Sequence, residues 1–329
     1  MAHMEEVFDI AERDAGRRLL AACMDHWALV PEIALRRLLE DGRIRLNGRP
    51  AVAKALLRLG DRVSADGIEE AGQVKDAQGL DLEILYFGGG LLAVNKPPGC
   101  AVVRERWELG CPFMDGVLRA VRERFGRAPW PGFRPRPVHR LDRDTTGVVL
   151  VALAPEAERS LCAQFRQRTL AKEYVALLAG RLEADSGEIS EPVEPFPGDL
   201  TRMRVAARGG KPSRTFYEVA ERFRGCTLAR CRPQTGRRHQ LRVHMAHVGH
   251  PVLGDPLYGG GEGLYLSSFK RGYKPKRGRP ERPLIGRCAL HAAAVEFVRP
   301  GAGPMRIEAP PPPDFARALE KLRKWGAER

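Results

Sequence analysis

The chain has 329 residues, of which 43% are hydrophobic, and this is enough to bury a large core in one or two domains. No apolar run reaches the roughly 18 residues of a membrane span, and the N-terminus is acidic where a secretory signal is basic. Seven scattered cysteines without a C-x-x-C pair are typical of free thiols rather than of disulfides or a zinc cluster. These features predict a cytoplasmic protein without a membrane segment.

The charge of the chain favours a polyanionic partner. Lys and Arg number 55 against 41 Asp and Glu, for a net charge of +14. Residues 201–214 and 230–242 each hold five basic residues and no acid, and residues 270–282 hold seven basic residues and one acid. A single basic run commonly does no more than solvate a surface. Three such runs in one chain favour nucleic acid.

The sequence pattern of residues 13–66 indicates a small folded unit, which follows an N-terminal tail over residues 1–12. A helix from residue 32 is followed by "GRIRLNGRPA", in which Asn-Gly at 47–48 is a strong two-residue hairpin turn. The alternation along this hairpin places Arg43 and Arg45 on one face. The stretch resembles the RNA-binding module of ribosomal protein S four, the αL motif, and the resemblance implies that the arginine face binds RNA. A generic helix-hairpin unit is the alternative.

The rest of the chain predicts an α+β catalytic domain. Residues 67–80 mix acids, Gly and Gln, a composition that is typical of a linker. The domain is expected to span residues 81–329 and to include a basic loop at 266–285. Strand patterns outnumber helices and do not alternate strictly with them, which favours a mixed, largely antiparallel sheet. No dinucleotide fingerprint or phosphate-binding loop is present, so we expect no nucleotide cofactor. A closing helix capped by Asp314 is predicted after the proline run at 310–313.

One charged stretch, "HRLDRDTTGVVLVA" at 139–152, leads directly into a buried strand. Asp142 lies just before that strand, where a side chain can reach the mouth of a cleft. The flanking arginines favour an ionised carboxylate, available as a nucleophile or a base. A capping aspartate in an Arg-paired turn explains the spacing equally well. The spacing gives only weak support for a metal-binding pair of Asp142 and Asp144, because an arginine separates the two acids and no third acid is near.

A second stretch, "RPQTGRRHQLRVHMAHVGHPVLGDPLYG" at 232–259, combines a turn with helical spacing from Gln240. His244, His247 and His250 stand three residues apart, but side chains at this spacing spread around a helix, so we expect no zinc site. Arg242 lies within an otherwise apolar helical stretch and needs a buried carboxylate partner. Asp142 is the natural candidate.

These two stretches, with "NKPPG" at 95–99, "KEYVAL" at 172–177 and "LHA" at 290–292, resemble the RluA-type pseudouridine synthase family. The resemblance covers about residues 81–310, and its HRLD and TGR-x-HQ-[IL]-R-VH elements are highly specific. It implies a pseudouridine synthase fold with a central RNA-binding cleft. It also implies a cofactor-free isomerisation in which uracil leaves the ribose anomeric carbon, turns and is rejoined through its carbon 5.

The same resemblance assigns roles to individual residues. Asp142 corresponds to the catalytic aspartate, Tyr174 to the tyrosine that packs on the target base, and Arg242 to the arginine that pairs with the aspartate. Arg140 corresponds to the side chain that enters the RNA stack when the uridine flips out. The residues expected to contact RNA are Arg140, His139, Arg143, Lys96, Arg237, Arg238, Arg43 and Arg45. No metal site is expected.

The sequence therefore predicts a monomeric RNA pseudouridine synthase. Large-subunit ribosomal RNA is the favoured substrate because of the N-terminal module, with transfer RNA as an alternative. Two functions of other kinds stay open: a non-catalytic RNA-binding ribosome assembly factor, and a metal-dependent nuclease built on Asp142 and Asp144. Retention of Asp142, Tyr174 and Arg242 together argues against the assembly factor, since binding alone needs none of them.

Overall fold

The computed structural model describes residues 5–72, 80–104, 111–274 and 278–327. At the N-terminus, four strands form an antiparallel sheet in the order β1-β4-β2-β3 and three helices pack with it. These elements are β1 (Glu6–Asp9), α1 (Leu19–His26), α2 (Glu32–Glu40), β2 (Ile44–Leu46), β3 (Arg49–Pro50), β4 (Arg62–Ala65) and α3 (Ile68–Gly72).

The predicted hairpin is confirmed, and the predicted edges of this unit differ from the structure. Asn47 and Gly48 both have positive φ (52° and 76°), as a two-residue turn between β2 and β3 requires. Residues 6–9, expected in a tail, pair with β4 as strand β1. Residues 68–72, expected in a linker, form α3, and Ile68 and Ala71 are buried in the same apolar cluster as α1 and α2. Residues 73–79 lie outside the described part.

The remaining strands build a ten-stranded mixed sheet and a separate hairpin. The strands are β5 (Glu83–Gly88), β6 (Leu91–Lys96), β7 (Arg136–Pro137), β8 (Thr146–Ala152), β9 (Ala171–Ala179), β10 (Ser186–Ile189), β11 (Val193–Phe196), β12 (Asp199–Val205), β13 (Thr215–Phe223), β14 (Cys226–Pro233), β15 (Leu290–Arg299) and β16 (Gly303–Glu308). The large sheet runs β10-β13-β14-β9-β15-β8-β6-β5, with β16 beside β15 and β7 beside β8, and β11 pairs with β12. In the large sheet only β8 and β15 pair in parallel. The expectation of an α+β fold with a largely antiparallel sheet is confirmed.

Strand β8 lies at the centre of the catalytic domain and is buried on both faces. Val149 and Val151 face a cluster around helix α4 (Pro112–Phe125), and Val148 and Leu150 face a cluster that includes Leu161 of helix α5 (Pro155–Gln167). This explains the continuous apolar run, since side chains alternate between two covered faces.

Gly147 allows β8 and β15 to approach each other next to the charged stretch. Its φ is 113°, and a Cβ atom at this position would lie 2.1 Å from the carbonyl oxygen of Ala292. Only glycine fits such a contact. The segment that carries Asp142 is therefore anchored to the sheet immediately before β8 begins.

The N-terminal unit contacts the catalytic domain through arginines of the latter. Arg134 is 7% exposed and its Nη1 donates to the carbonyl oxygens of Ala28 (3.3 Å) and Val30 (2.7 Å). Arg122 donates to the carbonyl of Leu29. The contact therefore combines guanidinium-to-carbonyl hydrogen bonds with an ion pair between Arg136 and Asp25 and with apolar packing of Leu29.

The C-terminal helix differs from the prediction at its start. Helix α7 (Pro313–Trp325) has Pro312 at its N-cap position, and Asp314 lies inside the first turn, where its Oδ1 accepts the N–H of Phe315 at 2.8 Å. Asp314 also forms a two-bonded ion pair with Arg287, at 2.8 Å for both bonds. In the basic loop 266–285, residues 275–277 lie outside the described residues, and a bridge between Leu264 and Ile285 closes the base of the loop. No helix within the described ranges is long and apolar enough to cross a membrane.

Candidate active site

A cleft of about 260 Å³ opens at the N-terminal ends of β8 and β15. Three segments line it: residues 139–145 before β8, the first half of β9, and the turn that precedes helix α6 (Gln240–His247). Asp142, Tyr174 and Arg242, which the sequence predicted as catalytic, all line this one cleft. They are separated in the chain by up to 100 residues, so the sheet brings them together.

Asp142 projects a partly exposed carboxylate into the cleft. Its side chain is 27% exposed, and its Oδ2 atom accepts a hydrogen bond from Nη1 of Arg242 at 3.1 Å. Its backbone carbonyl accepts the N–H of Thr145, which closes the turn before β8. The pairing of Asp142 with Arg242 that the sequence predicted is therefore present.

Arg242 has a second acidic partner that the sequence analysis missed. Its Nε and Nη2 atoms donate to the two carboxylate oxygens of Asp255 at 2.7 and 2.8 Å, and Asp255 is fully buried. Burial works against the charge on Arg242, but the Asp255 hydrogen bonds, with nearby negative charge including that of Asp142, hold its pKa above the usual value. Asp255 thus fixes the guanidinium, and its remaining nitrogen holds Asp142.

Tyr258 is another missed residue, and it covers the guanidinium. Arg242 lies over the Tyr258 ring at 5.1 Å from the centroid. The Tyr258 hydroxyl contacts Nδ1 of His239 at 2.8 Å. Tyr258 and Asp255 both belong to the quoted "GDPLYG" motif. Because a guanidinium carries five N–H donors, a buried one needs more than one acceptor, and that rule could have pointed to Asp255.

His239 is a neutral imidazole beside the two charged groups. Its Nε2 lies 3.9 Å from Oδ2 of Asp142, and its side chain is 9% exposed. Burial lowers the pKa of His239 to about 4, and the opposing effects of Asp142 and Arg242 are smaller. At neutral pH it therefore adds no positive charge next to Asp142.

Tyr174 lies on β9 between its partners Cys231 of β14 and Ala292 of β15. Burial, with a contribution from the charge of Asp142, raises the pKa of its phenol well above the usual range. The hydroxyl is therefore protonated at neutral pH. A neutral ring at the floor of the cleft suits contact with the flat face of a base.

The "TGRRHQ" motif forms the rim of the cleft, and the buried side-chain amide of Gln240 holds this rim in place. Gln240 accepts from the Thr235 hydroxyl at 2.6 Å and from the Arg237 N–H at 3.1 Å, and it donates to the carbonyl of Arg214. His239 precedes the helix with a φ of 54°. This network fixes the turn that carries the two arginines of the motif, Arg237 and Arg238.

Two of the residues expected to contact RNA face inward instead. Lys96 is fully buried, and its ammonium donates to the carbonyl oxygens of Pro97, Cys100 and Arg143 at 2.8 Å each. All three of its protons are thereby used, so Lys96 joins the "NKPPG" turn to the Asp142 segment rather than lying on the RNA-facing surface. His139 lines the cleft, but its Nε2 accepts the N–H of Leu150, and burial lowers its pKa to about 3.

The arginines predicted to contact RNA near the cleft differ in exposure, since Arg140 and Arg238 are exposed and Arg143 and Arg237 are half-buried. Arg140 is exposed at the cleft, and no ion pair involves it within the described ranges. Arg237 and Arg238 hold backbone carbonyls of Pro212 and Thr201, and Arg143 donates to the carbonyl of Gly99. Their contact with RNA stays a prediction.

Arg43 and Arg45 lie on the N-terminal unit away from the cleft lining. Arg45 pairs with Asp66 at 2.9 Å, and Arg43 approaches Glu70 at 3.9 Å. The acids reduce the positive charge of this face, and its contact with RNA also stays a prediction.

The histidines at 244, 247 and 250 do not converge. His244 is bound to the Thr215 hydroxyl and the Glu191 carbonyl, and His250 to the Ala179 carbonyl. Within the part of the chain that the structure describes, no three His, Cys, Asp or Glu residues are placed to hold a metal ion.

Comparison with known proteins places this geometry in a family. Residues 90–247 match the family model described as RNA pseudouridylate synthase. The ribosomal large subunit pseudouridine synthase D of Xanthomonas campestris pv. campestris is 35% identical, over 97% of this chain and 92% of its own length. The chain belongs to the pseudouridine synthase family. The ribosomal large subunit pseudouridine synthase C of Escherichia coli strain K12 is 33% identical, over 97% of both chains.

Solved structures of this family share the fold. Human RNA pseudouridylate synthase domain containing 4 superposes with a TM-score of 0.55 at 23% identity, over 73% of this chain and 93% of its own. Human RNA pseudouridylate synthase domain containing 1 gives a TM-score of 0.52 at 26% identity, over 75% and 97%. The pseudouridine synthase fold that the sequence predicted is confirmed.

Proposed function

We propose that this chain isomerises specific uridines of large-subunit ribosomal RNA to pseudouridine, as a cytoplasmic monomer and with Asp142 as the catalytic group. The observation that carries the proposal is the chain of contacts from Asp255 through Arg242 to Asp142 at the cleft. A binding protein needs no carboxylate held in this way. The names of relatives that cover nearly the whole chain support the choice of large-subunit ribosomal RNA.

The reaction conserves the atoms of the uridine. The bond between N1 and the anomeric carbon breaks, the uracil turns, and a new bond forms from carbon 5 to the anomeric carbon. Carbon 5 then loses its proton, and N1 ends with a proton. The Asp142 carboxylate acts either by attacking the sugar or by abstracting a proton while the uracil is detached.

The other cleft residues bind and orient the substrate. Tyr174 packs on the uracil and serves as a candidate for the general base. Its raised pKa keeps the phenol protonated at neutral pH, so it can take a proton from the uracil only if its own proton passes to an acceptor such as the Asp142 carboxylate. Arg140 enters the RNA stack in place of the flipped uridine, because a planar guanidinium recovers part of the lost stacking.

The N-terminal unit supplies additional RNA affinity. Its arginine-bearing hairpin and its resemblance to the module of ribosomal protein S four support this role. The boundaries at residues 13–66 and 81–329 stay predictions, with the strand at 6–9 and the helix at 68–72 extending the folded unit at both ends.

The test is release of tritium from ribosomal RNA labelled at carbon 5 of uracil, with chelator present throughout. We expect wild type to release tritium and Asp142→Ala to lose about 10³-fold or more of the rate, since it removes the reacting group. The affinity of Asp142→Ala for RNA should change by no more than about twofold, because affinity comes from distributed phosphate contacts.

Asp144→Ala is the matched control, two residues along the same turn. It should retain most of the wild-type rate, whereas a nuclease built on both acids would lose activity in either variant and in chelator. Wild type that binds ribosomal RNA tightly and releases no tritium would favour the assembly factor. Release from transfer RNA alone would keep the reaction and change the substrate.

A further inference from the structure

A second cavity continues from the active cleft along the start of β9. It has a volume of about 880 Å³ and shares Lys172, Pro233 and Thr235 with the cleft. We call it the flanking groove; its remaining lining comes from residues 168–171 at the end of α5, from 190, 192, 209, 212–214 and 216, and from Arg232 and Gln234. The two cavities are therefore adjacent, and the proposed reaction uses only the one around Asp142.

Lys172 stands where the cleft meets the flanking groove, with its charge uncompensated. Its ammonium donates to the carbonyl of Thr235 at 3.3 Å, and among the described residues no carboxylate lies within 4.0 Å of it. Burial, with a smaller contribution from Arg168, lowers the pKa of Lys172 to about 8. A half-buried ammonium without a counter-ion is less favourable than a fully solvated one, and an anion at this point would relieve it.

Arg168 is the second uncompensated cation, and its backbone is unusual. It ends helix α5 with φ 59° and ψ 33°, a left-handed position that glycine favours. Its side chain is exposed and lines the flanking groove, and no ion pair involves it among the described residues. The fold therefore keeps an arginine where glycine would be more stable, which points to a use for the side chain.

The other arginines of the flanking groove are already paired. Arg214 forms two hydrogen bonds with Glu188 at 2.6 and 2.7 Å, and Arg232 pairs with Glu173 at 2.9 Å. The positive charge available to a ligand is therefore concentrated in Lys172 and Arg168.

We infer that the flanking groove holds the RNA strand next to the target uridine, and that Lys172 and Arg168 bind its backbone phosphates. The inference rests on the proposed function, because it takes the uridine to lie at Asp142. Lys172 is two residues from Tyr174 on the same face of β9, a step of about 7 Å, which suits a phosphate next to a nucleotide at Tyr174. The exposed hydroxyls of Thr169 and Ser190 add partners for the ribose.

The test is equilibrium binding of a labelled fragment of large-subunit ribosomal RNA over a series of salt concentrations. Lys172→Met and Arg168→Gly should each raise the Kd about tenfold. Each should also reduce the slope of log Kd against log salt by about 0.7, the value for one phosphate contact with a single strand. Arg166→Ala is the matched control, since it removes an exposed arginine from the same helix that lines neither cavity.

Arg168→Gly separates binding from folding. Because glycine relieves the left-handed backbone, this variant should melt at a higher temperature than wild type while binding RNA more weakly. Such a result cannot come from misfolding.

Equal Kd and equal salt slope for Lys172→Met, Arg168→Gly and Arg166→Ala would overturn the inference. Binding and tritium release are separate measurements. If the two groove variants lose affinity while wild type releases no tritium, the result contradicts the proposed reaction and not the groove.

Discussion

The active cleft and the contact beneath the N-terminal unit each contain a buried arginine, and the two arginines are used differently. Arg242 is 8% exposed and contacts two carboxylates, which hold its pKa above the usual value. Arg134 is 7% exposed and donates to backbone carbonyls, and burial lowers its pKa to about 10. The cleft therefore compensates its buried charge with directly bonded carboxylates, whereas Arg134 at the docking contact is bonded to backbone dipoles and carboxylates such as Asp115 act on it only at a distance.

This difference follows from what each site must do. In the cleft, the carboxylate of Asp142 has to keep one position and stay available to the substrate, and a guanidinium fixed by Asp255 provides both. At the docking contact the requirement is geometric: Arg134 connects two segments of chain and needs only acceptors at the right distance. We therefore expect that removing Asp255, the partner of Arg242, lowers the free energy of unfolding more than removing Arg134 does.

The largest expected effect is from Asp255→Leu. It leaves Arg242 buried with Asp142 as its only carboxylate, and removing one partner of a buried pair costs about 3–5 kcal/mol. The free energy of unfolding, measured with urea, should fall by this amount. The rate of tritium release should fall as well, because Arg242 no longer has a fixed position from which to hold Asp142.

The double variant Arg242→Met with Asp255→Leu tests the cause. Replacing both partners by apolar groups removes the uncompensated charge, so we expect stability to recover toward wild type. The rate of tritium release should stay low, since Asp142 has lost its partner. A double variant that is no more stable than Asp255→Leu would show that the loss comes from packing and not from charge.

The contrast also shows what the sequence can and cannot predict. The Asp142–Arg242 pair was predictable because an arginine in an apolar helical stretch requires a carboxylate, and few acids stand beside strand ends. Asp255 was not predicted because an acid between Gly254 and Pro256 looks like an ordinary turn residue. Its burial results from packing between segments that are distant in the chain.

Long-range placement explains the other differences. Lys96 seemed exposed beside a proline turn, but one of its three acceptors is the carbonyl of Arg143, 47 residues away. Residues 6–9 have too little pattern to reveal a strand, and their partner β4 begins more than 50 residues later. The buried strand β8 and the 47–48 turn were predicted correctly because their signals are local.

The neutral imidazole of His239 makes the stability of the cleft depend on pH. The folded pKa of His239 is about 4, below the unfolded value of 6.5, chiefly because of burial. As the pH falls, His239 therefore binds a proton in the unfolded chain before it does so in the folded chain. The contribution of His239 to the free energy of unfolding is complete above about pH 6.5 and is lost as the pH falls toward 4. The difference corresponds to about 3 kcal/mol at most. The free energy of unfolding of wild type should fall over this window, and that of His239→Gln should fall less. Equal slopes would show that protonation of His239 does not couple to folding.

A smaller and more local effect is expected from Arg134→Met at the docking contact. The carbonyls of Ala28 and Val30 lose their donor, which costs about 1–3 kcal/mol, and no carboxylate is left unpaired. The loss should be local, with faster hydrogen exchange in the N-terminal unit and an unchanged rate of tritium release per bound RNA.

Arg136→Met is the control that decides whether the buried guanidinium or an ion pair holds the unit. The Arg136 side chain is 43% exposed and pairs with Asp25 of the N-terminal unit at 3.0 Å. A pair this exposed contributes at most about 1 kcal/mol, so Arg136→Met should cost less than Arg134→Met. If the two cost the same, the docking contact depends on a carboxylate as the cleft does, and the contrast between the two regions fails. If Arg134→Met alone speeds exchange in the N-terminal unit, docking requires the buried arginine that is bonded to carbonyls and does not require the exposed ion pair.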